Sequence, residues 1–368
     1  MNSELRRISD NIVDAAIKAV LPDEAVKRAL NGIEFTGRVF LVAAGKAAWQ
    51  MANAAEKCLG DRIQKGVVIT KYNHVKGPIS DFTLVEAGHP IPDENSFSGT
   101  QAAIDLVAGL KSDDTVLFLL SGGGSALFEK PQISGEELSD ITGQLLACGA
   151  DIVEINTVRK RLSLVKGGKF AKICEPAKVF SIVLSDILGD PLDMIASGPA
   201  CPDSSTCEDA VKIVKKYNIK LSQKAMELIE IETPKELSNV TTQITGSVRE
   251  LCRAVENECV KYGYEPVVLT DQLCCQAKEA GSFLSSIAKT HANSGKKLAY
   301  IAGGETIVNI TGHGKGGRNQ ELALSASVGI SGLDNAAVFS FGSDGTDGPT
   351  DAAGGYVDSH TYERLKNM

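Results

Sequence analysis

Residues 116–127 have the sequence VLFLLSGGGSAL. The five apolar residues from Val116 to Leu120 predict a strand that is buried on both faces, as in a parallel sheet. This strand leads into a glycine triplet flanked by Ser121 and Ser125. At the carboxyl end of such a strand, the backbone N–H groups of a glycine-rich turn can converge on an anion. Two interpretations stay open here: a phosphate-binding turn, and a tight strand-to-helix turn without a ligand.

Strands and helices alternate on both sides of this stretch. Strands predicted at 38–44 and 66–70 precede it, and another at 179–184 follows it. This alternation predicts an α/β fold in which a Rossmann-like parallel sheet carries helices on both faces. Residues 231–239 predict a link to a second, smaller α/β domain that begins with a strand at 241–245. We therefore expect two domains, residues 1–235 and 236–368.

The composition limits the class of protein. The net charge of −8 argues against nucleic acid as a partner. The chain has no run of 18 apolar residues, and its polar, amphipathic amino terminus predicts neither a membrane span nor a signal peptide. The nine cysteines show neither CxxC pairs nor zinc-site spacing. Reduced thiols in a cytoplasmic protein are the expectation.

One segment is strongly basic, although the chain as a whole is acidic. Between Arg159 and Lys178 there are seven basic residues, and Glu175 is the one acid among them. Such a strip can attract a small anion, or it can be the solvated face of a helix. The residues leave both interpretations open.

Several other glycine-rich turns carry charged residues. Lys46 follows a predicted strand and Gly45, at the start of a predicted helix, where the helix dipole disfavours a cation unless it has an anionic partner or points to solvent. Residues 312–317 match GxGxxG, but the acidic residue that a dinucleotide site needs is missing from the expected place. No GxxxxGK[ST], GxSxG or HExxH motif is present. Phosphoryl transfer fits what remains: glycine turns, cations for phosphate, and acids for magnesium or for a base.

An ordered set of motifs resembles the glycerate 2-kinase family that carries a MOFRL domain. The motifs are SGGGSAL (121–127), NTVRKRLSLVKGGKFA (156–171), LSDILGDP (184–191), ASGPACPD (196–203), GGETIVNITGHGKGGRNQE (303–321) and GSDGTDGPTDAAGG (342–355). The resemblance covers nearly the whole chain. It implies a kinase that uses ATP and Mg²⁺ to convert glycerate to 2-phosphoglycerate. It also implies a Rossmann-like amino-terminal domain, a MOFRL-like carboxyl-terminal domain and an active-site cleft between them.

The resemblance also assigns roles to residues. The implied catalytic residues are Lys46, Arg318, Asp186 and Asp190, and the implied magnesium ligands are Asp344 and Asp347. Lys46 would hold phosphate and Arg318 would clamp the carboxylate of glycerate. The residues implied in binding substrate or nucleotide are Ser121, Gly122, Gly123, Gly124, Ser125, Asn156, Lys160, Gly303, Gly304, Glu305, Thr306, Gly317 and Asn319. His89, which follows a predicted strand, is a further binding candidate: it could orient a substrate carboxylate or hydroxyl, or it could be a turn histidine. The two acidic pairs could exchange the roles of metal ligand and base.

Chains of this family usually continue beyond the motif at 354–358, whereas this sequence ends at Met368. We therefore keep two alternatives to the kinase. One is an NAD(P)H-dependent hydroxypyruvate reductase, a label that some family members carry. The other is a catalytically weak protein that binds a small acid or a nucleotide. Association into a homodimer stays an open expectation.

Overall fold

The computed structural model describes residues 3–185 and 188–367. Contacts divide the chain into two compact units. The larger unit contains residues 22–247, and the smaller unit contains residues 3–21 together with 248–367.

Six parallel strands form the sheet of the larger unit, in the order β3-β2-β1-β4-β5-β6. The strands are β1 (Val39–Ala44), β2 (Ile63–Lys71), β3 (Phe82–Ala87), β4 (Thr115–Leu120), β5 (Lys178–Leu184) and β6 (Val240–Thr245). Every residue of β1 and β4 is buried. This strand order is that of the Rossmann fold, and the predicted fold class is confirmed.

The alternation of side chains along β4 explains the two hydrophobic layers of the larger unit. Phe118 points into one cluster with Phe128 and Phe170, whereas Leu117 points into the other with Met51. Because both faces are covered, an uninterrupted apolar run is the pattern that this strand needs.

Nine helices pack in the larger unit as far as the structure describes it, besides two short 3₁₀ turns at Gly60–Arg62 and Ile195–Ser197. They are α2 (Pro22–Leu30), α3 (Ala48–Leu59), α4 (Glu94–Val107), α5 (Gly124–Leu127), α6 (Gly135–Ala147), α7 (Ile152–Leu162), α8 (Lys169–Ile173), α9 (Cys207–Lys216) and α10 (Gln223–Ile229). Polar side chains cap several of these helices. Ser134, for example, accepts a hydrogen bond from the amide of Glu137 at the start of α6.

The smaller unit combines short sheets with longer helices. Its elements are α1 (Ser3–Val20), α11 (Val248–Lys261), β7 (Glu265–Leu273), α12 (Ala277–His291), β8 (Leu298–Gly304), α13 (Arg318–Ile330), β9 (Ala337–Phe341), β10 (Gly354–Asp358) and α14 (Thr361–Lys366). Strands β7 and β8 pair in parallel, and β9 and β10 pair in antiparallel fashion. Helix α1 packs on α11, where Ile8 and Ile12 cover Cys259.

The division into units differs from the expected boundary between residues 235 and 236. Strand β6, expected to open the second domain, pairs along its whole length with β5 in the sheet of the larger unit. Helix α1, expected in the first domain, belongs to the smaller unit. Both placements depend on contacts between residues far apart in sequence, which local periodicity does not report. Within 3–185 and 188–367, no helix has the length and apolar character needed to cross a membrane.

Candidate active site

Two predicted loops meet at one edge of the large sheet. Lys46 follows β1, and residues 121–125 follow the neighbouring strand β4. The chain runs outward from β1 to β3 and then returns to β4 on the other side, so the order of the strands reverses between β1 and β4. Ligands of open α/β sheets bind outside the carboxyl ends of the strands at this kind of point.

Hydrogen bonds join the two loops. The amide of Lys46 donates to the carbonyl of Gly122 at 2.9 Å, and the amide of Ala47 donates to Oγ of Ser121 at 3.0 Å. Gly45 has a φ of 124°, and a Cβ there would lie 2.3 Å from Oγ of Ser121. Glycine is therefore required at position 45 for the loops to approach each other.

The backbone of Lys46 is held firmly while its side chain is exposed. Its carbonyl accepts a hydrogen bond from Oγ1 of Thr70 at 3.3 Å and lies 3.0 Å from Nδ1 of His74. The ammonium group forms no hydrogen bond or ion pair with any residue in 3–185 or 188–367. Lys46 thus presents a positive charge on a fixed backbone at the carboxyl edge of the sheet.

The glycine loop brings predicted residues together. Gly123 has a φ of 85°, and a Cβ there would lie 3.0 Å from the ring of His89 and 3.2 Å from Cγ of Lys46. Among the described residues, the amide N–H groups of Gly122, Gly123 and Ser125 have no hydrogen-bond acceptor. Amide donors beside a cation suit a phosphate group.

A buried hydroxyl connects this loop to α7. Oγ of Ser197 donates to Oδ1 of Asn156 at 3.0 Å and lies 3.2 Å from Oγ of Ser125. Ser197 and Asn156 are buried, whereas Ser125 is half-buried. The structure thus connects the predicted residues Ser125 and Asn156 through Ser197, a residue to which sequence reasoning assigned no role.

Most of the basic segment lies inside the protein. Arg159 and Lys166 both donate to the carbonyl of Ser125, at 3.0 and 2.8 Å, and both pair with the buried carboxylate of Glu129. Burial lowers the pKa of Lys166 to about 8. Lys169 donates to three backbone carbonyls. Arg159 and Lys166 therefore hold the glycine loop from inside the protein, whereas Lys169 holds the end of α7. The interpretation of the segment as a solvated helix face is wrong for these three side chains.

Lys160 is also internal. Its side chain is 2% exposed, and Nζ lies 2.9 Å from Oδ1 of Asp203. Arg161 approaches the same carboxylate at 3.6 Å, and Oγ1 of Thr233 donates to it at 2.7 Å. Burial alone would raise the pKa of Asp203, but these hydrogen bonds and the charge of Lys160 outweigh burial, so that the pKa is lowered. In this structure, Lys160 is part of a buried ion-pair network.

Of the two acidic residues predicted to act after β5, the structure describes only Asp190. Asp186 lies outside the described residues. Asp190 is half-buried, and its backbone has a φ of 54°. Among the described residues, no group of three or more histidine, cysteine, aspartate or glutamate side chains is arranged to hold a metal ion.

The predicted residues of the smaller unit gather around the start of α13. Arg318 donates to Oε1 of Glu305 at 2.5 Å, and both side chains are exposed. Gly303 packs against α11, where a Cβ would lie 2.5 Å from Sγ of Cys252. Gly304 lies against the backbone of Leu273. The Gly-Gly-Glu-Thr turn (303–306), which ends in the buried Thr306, therefore holds Glu305 where it meets Arg318.

Asp347 caps α13. One carboxylate oxygen accepts hydrogen bonds from the backbone and side-chain amides of Asn319, and the other accepts from those of Gln320, all at 2.9–3.1 Å. Gly317 makes room for this carboxylate, since a Cβ there would lie 2.2 Å from its Cγ. Burial alone would raise the pKa of Asp347, but the four donors reverse the effect and lower it.

The two predicted magnesium ligands differ in their fit to a metal ion. The four hydrogen bonds to Asp347 occupy the lone pairs that a cation would use, so this carboxylate does not fit. Asp344 is exposed, and its Oδ1 accepts a hydrogen bond from the amide of Thr346 at 3.0 Å. Mg²⁺ commonly uses one or two carboxylates together with phosphate oxygens and water. Asp344 fits such a partial ligand set.

Replacement of Asp347 by alanine should destabilise the smaller unit by about 2 kcal/mol. The substitution leaves the backbone amides of Asn319 and Gln320, at the start of α13, without their acceptor. Urea denaturation of the purified protein measures the loss. The matched control is Asp344→Ala on the same loop, for which we expect less than about 0.5 kcal/mol. Equal stability of both variants, with a raised magnesium requirement for Asp347→Ala alone, would contradict the role as a cap.

Family models match both parts of the chain. A model described as "Domain of unknown function (DUF4147)" matches residues 8–230, and one described as the MOFRL family matches residues 298–368. A protein of Thermotoga maritima named D-glycerate 2-kinase is 52% identical, and the match covers 99% of this chain and 88% of the relative. A protein of Pyrococcus horikoshii named glycerate 2-kinase is 42% identical over the same shares of the two chains.

A solved structure is similar as well. The crystal structure of a glycerate kinase from Thermotoga maritima superposes with a TM-score of 0.94 at 51% identity. The match covers 100% of this chain and 90% of that one. Sequence and structure agree along nearly the whole length, and this chain belongs to the glycerate 2-kinase family.

Proposed function

We propose that this protein transfers the γ-phosphoryl group of ATP to the 2-hydroxyl group of glycerate and releases ADP and 2-phosphoglycerate. The observation that carries the proposal is the edge of the sheet between β1 and β4. There, the side chain of Lys46 passes beside Gly123, and among the described residues neither its ammonium group nor the amides of Gly122, Gly123 and Ser125 have a hydrogen-bond partner. The identity of the substrate is inferred from the relatives named glycerate 2-kinase.

Phosphoryl transfer does not require the protein to form a covalent intermediate. The bond between the γ-phosphorus and its bridging oxygen breaks, a bond from the hydroxyl oxygen of glycerate to that phosphorus forms, and the hydroxyl proton leaves to a base. Catalysis of such a transfer consists mainly of positioning and of stabilising charge on the phosphoryl oxygens. Lys46 and the amides of Gly122 and Gly123 would supply that charge stabilisation, with His89 beside them.

Magnesium would accompany the nucleotide, where it neutralises charge on the β- and γ-phosphates. Asp344 is proposed as one of its ligands, because its exposed carboxylate accepts one hydrogen bond, from the amide of Thr346. Asp190 and Asp186 stay proposed as the alternatives for metal ligand or base. Removal of Mg²⁺ by a chelator should abolish turnover, and its return should restore it.

Arg318 is proposed to bind the carboxylate of glycerate. Its exposed pair with Glu305 contributes about 0–1 kcal/mol, so a substrate carboxylate can replace Glu305 at low cost. Charged hydrogen bonds of the kind proposed are worth about 1.5–3 kcal/mol. Arg318→Ala should therefore lower kcat/KM for glycerate by about 10- to 150-fold, mainly through KM.

Steady-state kinetics with glycerate as the varied substrate measures this effect. The control is Arg253→Ala, which removes another exposed arginine, one that is paired with Glu250. An unchanged KM for glycerate in Arg318→Ala would contradict the assignment.

The activity itself is tested by the release of ADP from ATP in the presence of D-glycerate and Mg²⁺. We expect ADP release that depends on glycerate. A parallel assay follows NADH absorbance with hydroxypyruvate. Loss of that absorbance, without glycerate-dependent ADP release, would replace the kinase with the reductase alternative.

A further inference from the structure

The hydroxyl chain beside the glycine loop has a fixed direction. The single proton of the Ser197 hydroxyl is donated to Oδ1 of Asn156. Ser197 can therefore only accept from its other partner, the hydroxyl of Ser125 at 3.2 Å. The proton of Ser125 is consequently directed to the buried Ser197, and the lone pairs of its oxygen receive no other hydrogen bond among the described residues. Ser125 is thus an acceptor, whereas an anion such as phosphate needs a donor.

Ser125 is held in this orientation from two sides. Arg159 and Lys166 fix its carbonyl, and Ser197 fixes its hydroxyl. The segment that carries Ser197 is itself strained, because Ala196 and Ser197 have φ values of 51° and 61° without being glycine. Such strain persists only where the surrounding structure enforces it, and it is common at functional sites.

Asn156 supplies the complementary group. Its Oδ1 is used by Ser197, which leaves the amide NH₂ as a donor with no partner among the described residues. A donor and an acceptor on one hydroxyl chain match a ligand group that can both accept and donate. An alcohol has this property, whereas phosphate and carboxylate do not.

Glycerate has two alcohol groups, and the chemistry distinguishes between them. The 2-hydroxyl must lose its proton during transfer. Ser125, Ser197 and Asn156 cannot take that proton, because none of them is a base at neutral pH and the chain ends at an amide. The 3-hydroxyl keeps its proton throughout the reaction, and a neutral donor–acceptor pair suits it.

We infer that Ser125 and Asn156 bind the 3-hydroxyl group of glycerate, and that Ser197 is the positioning residue that makes Ser125 an acceptor. This inference rests on the proposed function and deepens it. It separates Ser125 from the amides of Gly122 and Gly123, which remain assigned to phosphate. It also makes this site the determinant that distinguishes glycerate from 2-hydroxy acids in which C3 is a methyl group, such as lactate.

The test compares two substrates that differ only in that hydroxyl, D-glycerate and D-lactate, in the ATP- and magnesium-dependent assay. Ser125→Ala should lower kcat/KM for D-glycerate by about 10-fold and leave kcat/KM for D-lactate within about twofold. Ser197→Ala should act in the same direction. In a double-mutant cycle, Ser197→Ala should have little further effect once Ser125 is alanine.

Two further variants test the same hydroxyl chain by other substitutions. Ser197→Gly removes the hydroxyl where a positive φ favours glycine, and it serves if the alanine variant fails to fold. Asn156→Asp keeps an acceptor for Ser197 but lacks the NH₂ donor, so it should also reduce the preference for D-glycerate.

The outcomes separate the two claims. Equal losses with both substrates, or an unchanged preference in Ser125→Ala and Ser197→Ala, would overturn the inference and leave the kinase activity standing. Failure of the unaltered protein to phosphorylate D-glycerate would overturn the proposed function and this inference with it.

Discussion

Replacement of Lys46 by alanine is expected to lower kcat for phosphoryl transfer by about 100- to 1,000-fold, which corresponds to about 2.7–4 kcal/mol of transition-state stabilisation. The expectation rests on the exposed side chain of Lys46 at the carboxyl end of β1, whose Cγ lies next to Gly123. A cation aimed at developing phosphoryl charge stabilises the transition state more than the ground state. Initial rates at saturating ATP and glycerate measure the effect.

The control for Lys46→Ala removes another exposed lysine of the larger unit, at the opposite end of the helix that follows Lys46. Lys57 lies in the last turn of α3 and faces solvent. Lys57→Ala should retain full activity, and both variants should keep the unfolding temperature of the unaltered protein. A Lys46→Ala variant with more than about half of the original kcat would contradict the proposed role.

Replacement of Asp203 by alanine is expected to destabilise the larger unit by about 3–5 kcal/mol. The carboxylate is buried and meets Lys160, Arg161 and Thr233. Its removal leaves two buried cations without that partner, which costs far more than the loss of a surface ion pair. Urea denaturation measures the change, and Glu175→Ala is the control, because its exposed pair with Lys172 should contribute less than about 1 kcal/mol.

The lowered pKa of Asp203 gives this network a defined pH dependence. A carboxyl group whose pKa is lower in the folded state stabilises the protein fully above the unfolded pKa of about 3.9. That contribution is lost as the pH falls below this value and through the folded pKa. Stability should therefore decline more steeply below pH 4 in the unaltered protein than in Asp203→Asn. Parallel declines in the two proteins would contradict the role of Asp203.

Much of the secondary structure of the larger unit could be predicted from the sequence, because it depends on residues that are neighbours along the chain. The apolar run at 116–120 specified a strand covered on both faces, and the glycines after it specified a turn at its carboxyl end. The cap of α6 is local in the same sense, because Ser134 accepts its hydrogen bond from the amide of Glu137, three residues further along the chain. These features depend on neighbours in sequence and can be read from them.

The features that sequence reasoning missed depend on distant contacts. Strand β6 joins the large sheet through pairing with β5, although more than 50 residues separate them. Asp347 is a cap for a helix that begins 29 residues before it, which no pattern around Asp347 reveals. The role of Ser197 arises from contacts with residues 41 and 72 positions away. The resemblance to a family located the motif that contains Ser197 but gave no reason to single it out.

The central claim is that the protein phosphorylates the 2-hydroxyl of glycerate by means of Lys46. Proton-coupled phosphorus NMR of the product of ATP, Mg²⁺ and D-glycerate tests it most directly. A phosphate ester on C2 couples to the single proton of that carbon and gives a doublet, whereas an ester on C3 couples to a CH₂ group and gives a triplet. We predict a doublet for the unaltered protein and no ester signal above background for Lys46→Ala in the same time. A triplet, no ester from the unaltered protein, or an equal doublet from both proteins would contradict the account.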